Sequence, residues 1–181
     1  MKKYPRFDQI KTIIFDFDGI FTNNKVYLSE EGIESVRCDR SDGLAFDLAR
    51  KFIKNKDWDV RFLVLTKEKN KVVQKRCQKL GIECESGIDN KKRFLLEKFS
   101  YDLNESSEFL NGLVYLGNDI NDLESILISE YSFAPSDSHE LVKKAVDFVL
   151  DLEGGNGFIR NFFEIILDFD NMSIEDLKSI L

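Results

Sequence analysis

Short apolar runs recur along the chain, and most of them end at polar residues or at Gly or Pro. The first run, residues 11–15, leads directly into Asp16. Such runs are typical of strands buried in a parallel sheet. By the same pattern, the sequence predicts further strands at residues 60–65, 82–84, 113–116, 131–134 and 148–150.

Helical spacing of apolar residues fills the intervals between these strands. It predicts helices over residues 43–52, 70–80, 91–99, 122–128 and 140–146. Alternation of strands and helices predicts a three-layer α/β fold with a mostly parallel sheet. Right-handed crossovers would place the carboxyl ends of the strands along one edge, where such sheets bind ligands.

One stretch interrupts the alternation just after the first strand. A turn signal at Asn23-Asn24 precedes extended patterns at residues 26–28 and 33–38, which flank a polar turn containing Gly32. This pattern predicts a β-hairpin that stands over the same edge of the sheet. Neither the hairpin nor any other insertion is long enough for a separate cap domain. We therefore expect one domain over residues 1–181.

Composition narrows the class of protein. The chain has 181 residues, of which 43% are hydrophobic, and a net charge of -7, which disfavours a protein that coats nucleic acid. Its three cysteines form no C-x-x-C pair and fit reduced thiols. The start lacks the apolar core of a signal peptide, and no run approaches membrane-spanning length. We expect a cytoplasmic protein with neither a nucleic-acid nor a membrane partner.

The most informative residues are the two carboxylates after the first strand. Asp16 and Asp18 are two positions apart, so on an extended chain both side chains point the same way. Gly19 then allows a sharp exit. Two like charges at the mouth of a sheet are costly to bury unless a cation binds them. A divalent cation with an anionic substrate would satisfy both; the alternative is a strand end with two solvated acids.

Three later strand ends also present polar residues. Thr66 ends the second predicted sheet strand, Lys91 begins the helix after the third, and residues 117–122 follow the fourth. Each has an ordinary structural explanation. Thr66 could be a helix N-cap, Lys91 a solvated helix residue, and residues 117–122 a turn with a cap. Their order along successive strand ends favours a shared site instead.

These segments resemble the four ordered motifs of the haloacid dehalogenase (HAD) superfamily of phosphatases, namely Asp16-Phe17-Asp18-Gly19, Thr66, Lys91 and Gly117-Asn118-Asp119-Ile120-Asn121-Asp122. The resemblance covers roughly residues 10–168 and implies a Rossmann-like HAD fold without a cap. It is closest to capless sugar-acid phosphatases acting on 3-deoxy-octulosonate 8-phosphate or nonulosonate 9-phosphates, and to the HAD domain of acylneuraminate cytidylyltransferases. The segments that carry this closer match are residues 18–22, 41–43, 76–82 and 154–160.

The resemblance implies catalytic roles for the motif residues. Asp16 would attack phosphorus to form an aspartyl phosphate, and Asp18 would act as general acid and base. Thr66 and Lys91 would hold the phosphoryl oxygens, helped by backbone N–H groups near Phe17 and Gly19.

The resemblance also implies a Mg²⁺ site and a substrate surface. Asp16 and the backbone carbonyl of Asp18 would ligate Mg²⁺, and Asp122 would hold the ion's water shell. The remaining substrate contacts are assigned to Asp42, Gly43 and Arg160. Arg160 is a candidate for a substrate carboxylate, with pairing to a local acid as the alternative.

Two positions depart from the family pattern. Asn118 stands where the fourth motif usually has a metal-binding Asp, so either its amide oxygen or the adjacent Asp119 would coordinate the ion. Lys67 stands where Gly often follows the Thr. Because Asn118 is neutral, one formal negative charge is missing from the metal site.

The resemblance therefore leaves two main hypotheses. The first is a Mg²⁺-dependent phosphatase of a 2-keto-3-deoxy sugar acid phosphate, in sialic acid or KDO biosynthesis; residues 65–70 and 117–119 favour nonulosonates. The second, motivated by Asn118, is a non-catalytic oligomerisation or regulatory domain that partners a cytidylyltransferase. A phosphomutase or phosphotransferase ranks last because the chain has no cap of its own to exclude water. The resemblance further implies a homotetramer in which residues 154–157 reach a neighbour's active site.

Overall fold

A parallel sheet with helices on both faces forms the centre of the computed structural model, which describes residues 2–99 and 109–181. Within this part of the chain the sheet has six strands: β1 (Thr12–Phe15), β4 (Arg61–Thr66), β5 (Glu83–Ser86), β6 (Leu110–Leu116), β7 (Ser129–Ala134) and β8 (Phe148–Val149). Their order in the sheet is β5-β4-β1-β6-β7-β8, and every neighbouring pair is parallel.

The two helical layers pack on opposite faces of this sheet. One layer consists of α1 (Ser41–Lys56), α2 (Lys71–Leu80) and α6 (Phe158–Ile166), and the other of α3 (Lys91–Phe99), α4 (Leu123–Leu127) and α5 (Glu140–Ala145). Ile13 and Phe15 of β1 belong to an apolar cluster with the first layer, and Ile14 belongs to a second cluster with the other layer. A final helix, α7 (Ile174–Ser179), follows α6. The predicted three-layer α/β fold is confirmed.

The predicted β-hairpin is also present. It consists of β2 (Thr22–Leu28) and β3 (Glu34–Cys38), an antiparallel pair that forms a sheet of its own. At the turn, the Gly32 N–H donates to the Ser29 carbonyl at 3.0 Å. The hairpin is the whole insertion between β1 and α1, so no cap domain is present at this point of the described chain.

Helix α6 was missed by the sequence analysis. Its buried residues follow helical spacing, with Phe158, Phe162 and Ile166 along one line and Ile159 and Phe163 beside it. The periodic signal was therefore available, but it directly follows the glycine-rich segment 154–157, which reads as a loop. Among the described residues, no helix is long and apolar enough to cross a bilayer.

Candidate active site

Three neighbouring strands deliver the predicted motif residues to one edge of the sheet. Asp16 directly follows β1, Thr66 ends β4, and Asn118 lies two residues beyond β6. Because β1 lies between β4 and β6 and all three are parallel, their carboxyl ends meet. The Asp16 N–H donates to the Leu116 carbonyl at 2.9 Å, which joins the first and fourth motifs directly. The predicted convergence of these strand ends is confirmed.

A buried ammonium group links the first motif to the end of the fourth. Lys91 Nζ lies 2.7 Å from Asp16 Oδ1 and 2.8 Å from Asp122 Oδ1. Only 2% of Lys91 is exposed, so the alternative of a solvated helix residue is wrong. Tyr115 of β6 donates its hydroxyl to the same Asp122 oxygen at 2.8 Å. This role of Tyr115 was not predicted, because a tyrosine within an apolar strand is usually a core residue.

The electrostatics of this group favour an additional positive charge. The pKa of Asp16 is raised to about 7, first by burial and then by the nearby Asp122 carboxylate, while Lys91 opposes both. Burial lowers the pKa of Lys91, but the two carboxylates more than offset this and raise its pKa above the usual value, so it stays charged. One ammonium thus faces two buried carboxylates, and the remaining negative charge is poorly solvated.

Asp18 occupies an environment suited to proton transfer. Burial raises the pKa of Asp18, a hydrogen bond from Thr22 lowers it, and Glu68 raises it again. Thr22 Oγ1 lies 3.1 Å from Asp18 Oδ1 and also accepts the Gly19 N–H at 3.2 Å. A raised pKa makes a carboxyl group better able to hold a proton that it can donate to a leaving group. Thr22 was part of the recognised segment, but its role as the orienting hydroxyl was not predicted.

Gly19 makes room for Asn118. Its φ is +76°, and a Cβ added there would lie 1.9 Å from Asn118 Nδ2 and 2.9 Å from Asn118 Oδ1. The amide of Asn118 therefore packs directly on the backbone that follows Asp18. Asp119 instead turns toward its own 3-10 turn, where its Oδ1 accepts the Ile120 N–H at 2.7 Å. Of the two fourth-motif candidates, Asn118 is the one that contacts the first motif.

Replacing Gly19 with alanine should damage the site far more than the same change at Gly32. Both glycines have φ of +76°, but a Cβ at Gly32 meets nothing within 4 Å. We expect Gly32→Ala to cost about 1 kcal/mol of unfolding free energy from backbone strain alone. Gly19→Ala should cost about 1–3 kcal/mol more because the Asn118 side chain must move. Urea unfolding of both variants measures this, and equal losses would show that Asn118 is not held against Gly19.

Four donors engage the Asp122 carboxylate. Its side chain is completely buried; Oδ1 accepts from Lys91 and Tyr115, and Oδ2 accepts the N–H groups of Asn118 at 3.0 Å and Asp119 at 3.2 Å. These four donors match the four lone-pair positions of a carboxylate. Asp122 therefore positions Lys91 and the Asn118 loop in this structure, and its hold on a metal's water shell stays a prediction.

Thr66 is not a helix N-cap, because α2 begins later, at Lys71, where Asn70 accepts the Val72 N–H. Thr66 is 3% exposed at the end of β4, and its Oγ1 accepts the Glu68 N–H at 3.1 Å, which leaves its hydroxyl hydrogen for another acceptor. The side chain is thus available to hold an anion at this sheet edge.

The predicted substrate residues outside the motifs do not join this group. Asp42 is 1% exposed and faces Arg76, whose Nη2 lies 3.9 Å from its Oδ2. Gly43 packs toward Leu80 of α2. Arg160 pairs with Glu164 one turn along α6 at 2.7 Å, which is the alternative that the sequence analysis left open. In this structure Asp42, Gly43 and Arg160 lie apart from the Asp16 group, and their contact with substrate stays a prediction.

The glycine-rich segment 154–157 packs on its own chain. The Gly155 N–H donates to the Ile20 carbonyl at 3.1 Å, and a Cβ at Gly154 would lie 2.0 Å from the Gly19 carbonyl oxygen. Because glycine has no side chain, these two backbone segments can touch beside the first motif. In this structure the segment thus lies beside the first motif of its own chain, and its reach into a neighbour's active site stays a prediction.

An open groove adjoins the carboxylates. A recess lined by Phe17 and Asp18 continues, past Glu68 and Asn70, into a cavity of about 950 Å³ between the hairpin and α2. The α2 side of this cavity carries positive charge, from Lys71, Lys75, Arg76 and Lys79. An acidic ligand attached to a group at Asp16 could extend along this wall.

The donor set suits a hard divalent cation. Among the described residues, no three His, Cys, Asp or Glu side chains form a metal site by themselves, so any site must use backbone and amide oxygens. The Asp16 carboxylate, the Asp18 carbonyl and the Asn118 amide are such oxygens, and Gly19, which has no Cβ, lets the Asn118 amide pack on the backbone that follows Asp18. Oxygen-only ligands with room for water are what Mg²⁺ requires. The residues present therefore fit this ion.

Comparison with known proteins places the chain in a family. No family model matches the sequence. It is 28% identical over 174 residues to 3-deoxy-D-manno-octulosonate 8-phosphate phosphatase from Haemophilus influenzae, covering 93% of this chain and 88% of that protein. A crystal structure described as a HAD family hydrolase from Streptomyces avermitilis shares 32% identity, with a TM-score of 0.78 over 91% of this chain and 95% of the other. The cobalt-bound deoxy-D-mannose-octulosonate 8-phosphate phosphatase of H. influenzae is 26% identical, with a TM-score of 0.74 and 90% of each chain covered.

These likenesses extend over almost the entire chain and agree with the order of the four motifs at one sheet edge. The sheet, the hairpin and the absence of a cap in the described insertion fit the same group. The chain belongs to the haloacid dehalogenase superfamily of hydrolases, in its branch of capless phosphatases.

Proposed function

We propose that this protein is a divalent-metal-dependent phosphatase that hydrolyses the phosphate monoester of a 2-keto-3-deoxy sugar acid. The observation that carries the proposal is the Asp16–Lys91–Asp122 group, buried beside Asp18 at the mouth of a basic groove. Relatives that act on octulosonate 8-phosphate favour an eight-carbon substrate over the nine-carbon acids that the sequence segments suggested. Either substrate carries both a phosphate and a carboxylate.

In this proposal Asp16 is the nucleophile. Its free oxygen attacks phosphorus, while Lys91 holds the other oxygen and neutralises charge on the transferring group. Asp18 protonates the leaving sugar oxygen and then removes a proton from the water that cleaves the aspartyl phosphate. Thr22 keeps the Asp18 carboxyl group aimed for both transfers. The Thr66 hydroxyl and backbone N–H groups near Phe17 and Gly19 bind the remaining phosphoryl oxygens.

Asp16, the Asp18 carbonyl and Asn118 would hold Mg²⁺. When bound, the ion neutralises the negative charge that builds up around the phosphoryl group. The raised pKa of Asp16 supports this assignment, because a nearby cation is what would keep that carboxylate ionised at neutral pH.

The basic groove supports an acidic substrate of moderate length. A sugar acid attached through its phosphate at Asp16 would run between the hairpin and α2, and its carboxylate would meet the lysines of that wall. Arg160 is engaged with Glu164 and is a weaker candidate for this contact.

The hairpin supports self-association into a homotetramer. Its β2 strand exposes Val26, Tyr27 and Leu28 at 60%, 61% and 67%. Consecutive exposed apolar residues on a two-stranded sheet favour pairing with another copy, which would shield the strand edge and the active site. Light scattering on the wild-type chain, with Tyr27→Lys as the interface variant, tests the assembly.

The proposed activity is tested by phosphate release from octulosonate 8-phosphate and nonulosonate 9-phosphates, with Mg²⁺ and after its removal by EDTA. We expect turnover on at least one acid, loss in EDTA, and recovery on adding Mg²⁺. Absence of turnover from an assembled, Mg²⁺-supplied protein would instead support the non-catalytic domain that the Asn118 substitution suggests.

Restoring the missing charge should strengthen metal binding. We expect Asn118→Asp to lower the Kd for Mg²⁺ by about tenfold, because it replaces a neutral amide oxygen with a carboxylate. Asp119→Asn is the matched control: its side chain caps Ile120, so the Kd should change less than about twofold. Titration calorimetry measures both. A large effect at Asp119 with none at Asn118 would reverse the assignment of the ligand.

A further inference from the structure

Two of the three cysteines lie side by side between α2 and β5. Cys77 is 1% exposed on the apolar side of α2, with Val73 and Leu80. The helix ends at Gly81, whose φ is +65°, and the Ile82 N–H donates to the Cys77 carbonyl at 3.1 Å. This tight turn returns the chain along the helix it has just left, so Cys84 comes back beside Cys77.

Side-chain alternation along β5 then directs Cys84 toward α2. The residues on either side, Glu83 and Glu85, both accept from Lys98 of α3 on one face of the sheet, at 2.7 and 3.1 Å. Cys84 points to the opposite face, where it packs against the same apolar cluster that contains Cys77. The two thiols therefore face each other between α2 and β5, and each shifts the pKa of the other.

We propose that Cys77 and Cys84 are a redox-responsive pair that closes to an intrachain disulfide when the protein meets a peroxide. Cys84, which is half-buried, is the accessible member, and Cys77 is the resolving member. The Cys84 thiolate attacks one peroxide oxygen and becomes a sulfenic acid as the O–O bond breaks and water leaves. Cys77 then attacks that sulfur, the S–O bond breaks, and a second water leaves. Two thiols and one hydrogen peroxide thus give one disulfide and two waters, with two electrons passing from sulfur to oxygen.

The local electrostatics distinguish this pair from the third cysteine. The hydrogen bond from Cys77 lowers the pKa of Cys84, which favours the thiolate that reacts with peroxide. Burial raises the pKa of Cys38, which lies on the hairpin strand β3 and not at the α2–β5 contact. Such a bond is compatible with a reducing compartment, because it would form only under oxidant and be reversed by thiols.

The test uses the full-length reduced chain and one equivalent of hydrogen peroxide, with no assay of phosphatase activity, so it is independent of the proposed function. Free thiols are counted in denaturant before and after treatment, and again after dithiothreitol. We expect a loss of two of the three thiols and full recovery on reduction. Trypsin separates all three cysteines, into residues 38–40, 77–79 and 80–91, so mass spectrometry identifies the linked pair directly.

Serine variants make the outcome decisive. Cys38→Ser should still lose two thiols, whereas Cys77→Ser and Cys84→Ser should form no intrachain link. Retention of all three thiols, a link that includes residues 38–40, or overoxidation of Cys84 without a link to Cys77 would each overturn the proposal. Circular dichroism on each serine variant verifies that the absence of an intrachain link does not come from misfolding.

Discussion

Asp16→Asn is expected to abolish phosphate release, by at least about 1,000-fold in kcat, since the variant has no nucleophilic carboxylate oxygen to form the aspartyl phosphate. Its fold should survive. Asp16 is 5% exposed, and its carboxylate is repelled by the nearby Asp122 carboxylate. Asparagine keeps the shape of the side chain and removes this repulsion. In EDTA at pH 8 we therefore expect a melting temperature equal to or above that of the wild type.

The pH dependence of the same variant offers a second measurement. The pKa of Asp16 in the folded chain is raised to about 7, above its unfolded value, so the folded state binds more protons across this range. Wild-type stability without metal should fall as pH rises from about 4 to 7. Asp16→Asn should flatten this slope but not remove it, because burial also raises the pKa of Asp42 to about 7.

The matched control for activity is Asp89→Asn. Asp89 is exposed in the segment that leads from β5 into α3, so this change removes a carboxylate near the same sheet edge without touching the buried group. We expect near-wild-type kcat. Activity in Asp16→Asn above 1% of wild type, or an equal loss in Asp89→Asn, would contradict the assignment of Asp16 as nucleophile.

Lys91→Met is expected to cause the largest loss of stability and a large loss of activity. The change leaves Asp16 and Asp122 facing each other, buried and without a cation. Breaking a buried ion pair from one side typically costs about 3–5 kcal/mol of unfolding free energy. Activity should fall at least about 100-fold, because a positive group that stabilises the transferring phosphoryl group is gone.

The direction in which the stability loss of Lys91→Met changes with pH separates this explanation from a simple loss of packing. Without Lys91 the pKa of Asp16 in the folded chain should rise further, so the penalty is present above that value and shrinks as pH falls toward 4. Urea unfolding at several pH values in EDTA measures this. A penalty that stays constant with pH would indicate a packing defect instead.

Lys92→Met provides the control on the same helix. Lys92 is 40% exposed and its Nζ lies 3.8 Å from Glu124, a surface contact. We expect less than about 0.5 kcal/mol of change in unfolding free energy and unchanged kcat.

Most of the architecture could be predicted because each strand and helix carries its own periodic signal. The order of strands and helices, the hairpin with its turn at Gly32, and the convergence of Asp16, Thr66 and Asn118 all followed from local patterns and the handedness of crossovers. Boundaries differed by a few residues, as at β6, which begins at Leu110. Helices α6 and α7 were not predicted, and the glycines directly before α6 disguised its start.

The roles of the site residues depended on contacts that sequence spacing does not encode. Whether Asn118 or Asp119 meets the first motif is decided by the space that Gly19 leaves and by the cap that Asp119 forms. Asp122 was predicted beside a metal, but Lys91, Tyr115 and two backbone N–H groups occupy its oxygens. Asp42 was predicted on the substrate side and is buried against Arg76.

Local sequence thus determined which segments become strands, which become helices, and which acidic and basic residues arrive at one edge, because those properties depend on neighbours along the chain. Only the tertiary structure decided which oxygen faces which donor, since that depends on side chains from distant segments competing for the same buried space. The placement of Cys84 opposite Cys77 likewise depends on the tertiary structure. It exists because a left-handed glycine turns the chain back on itself, which no spacing of cysteines alone could reveal.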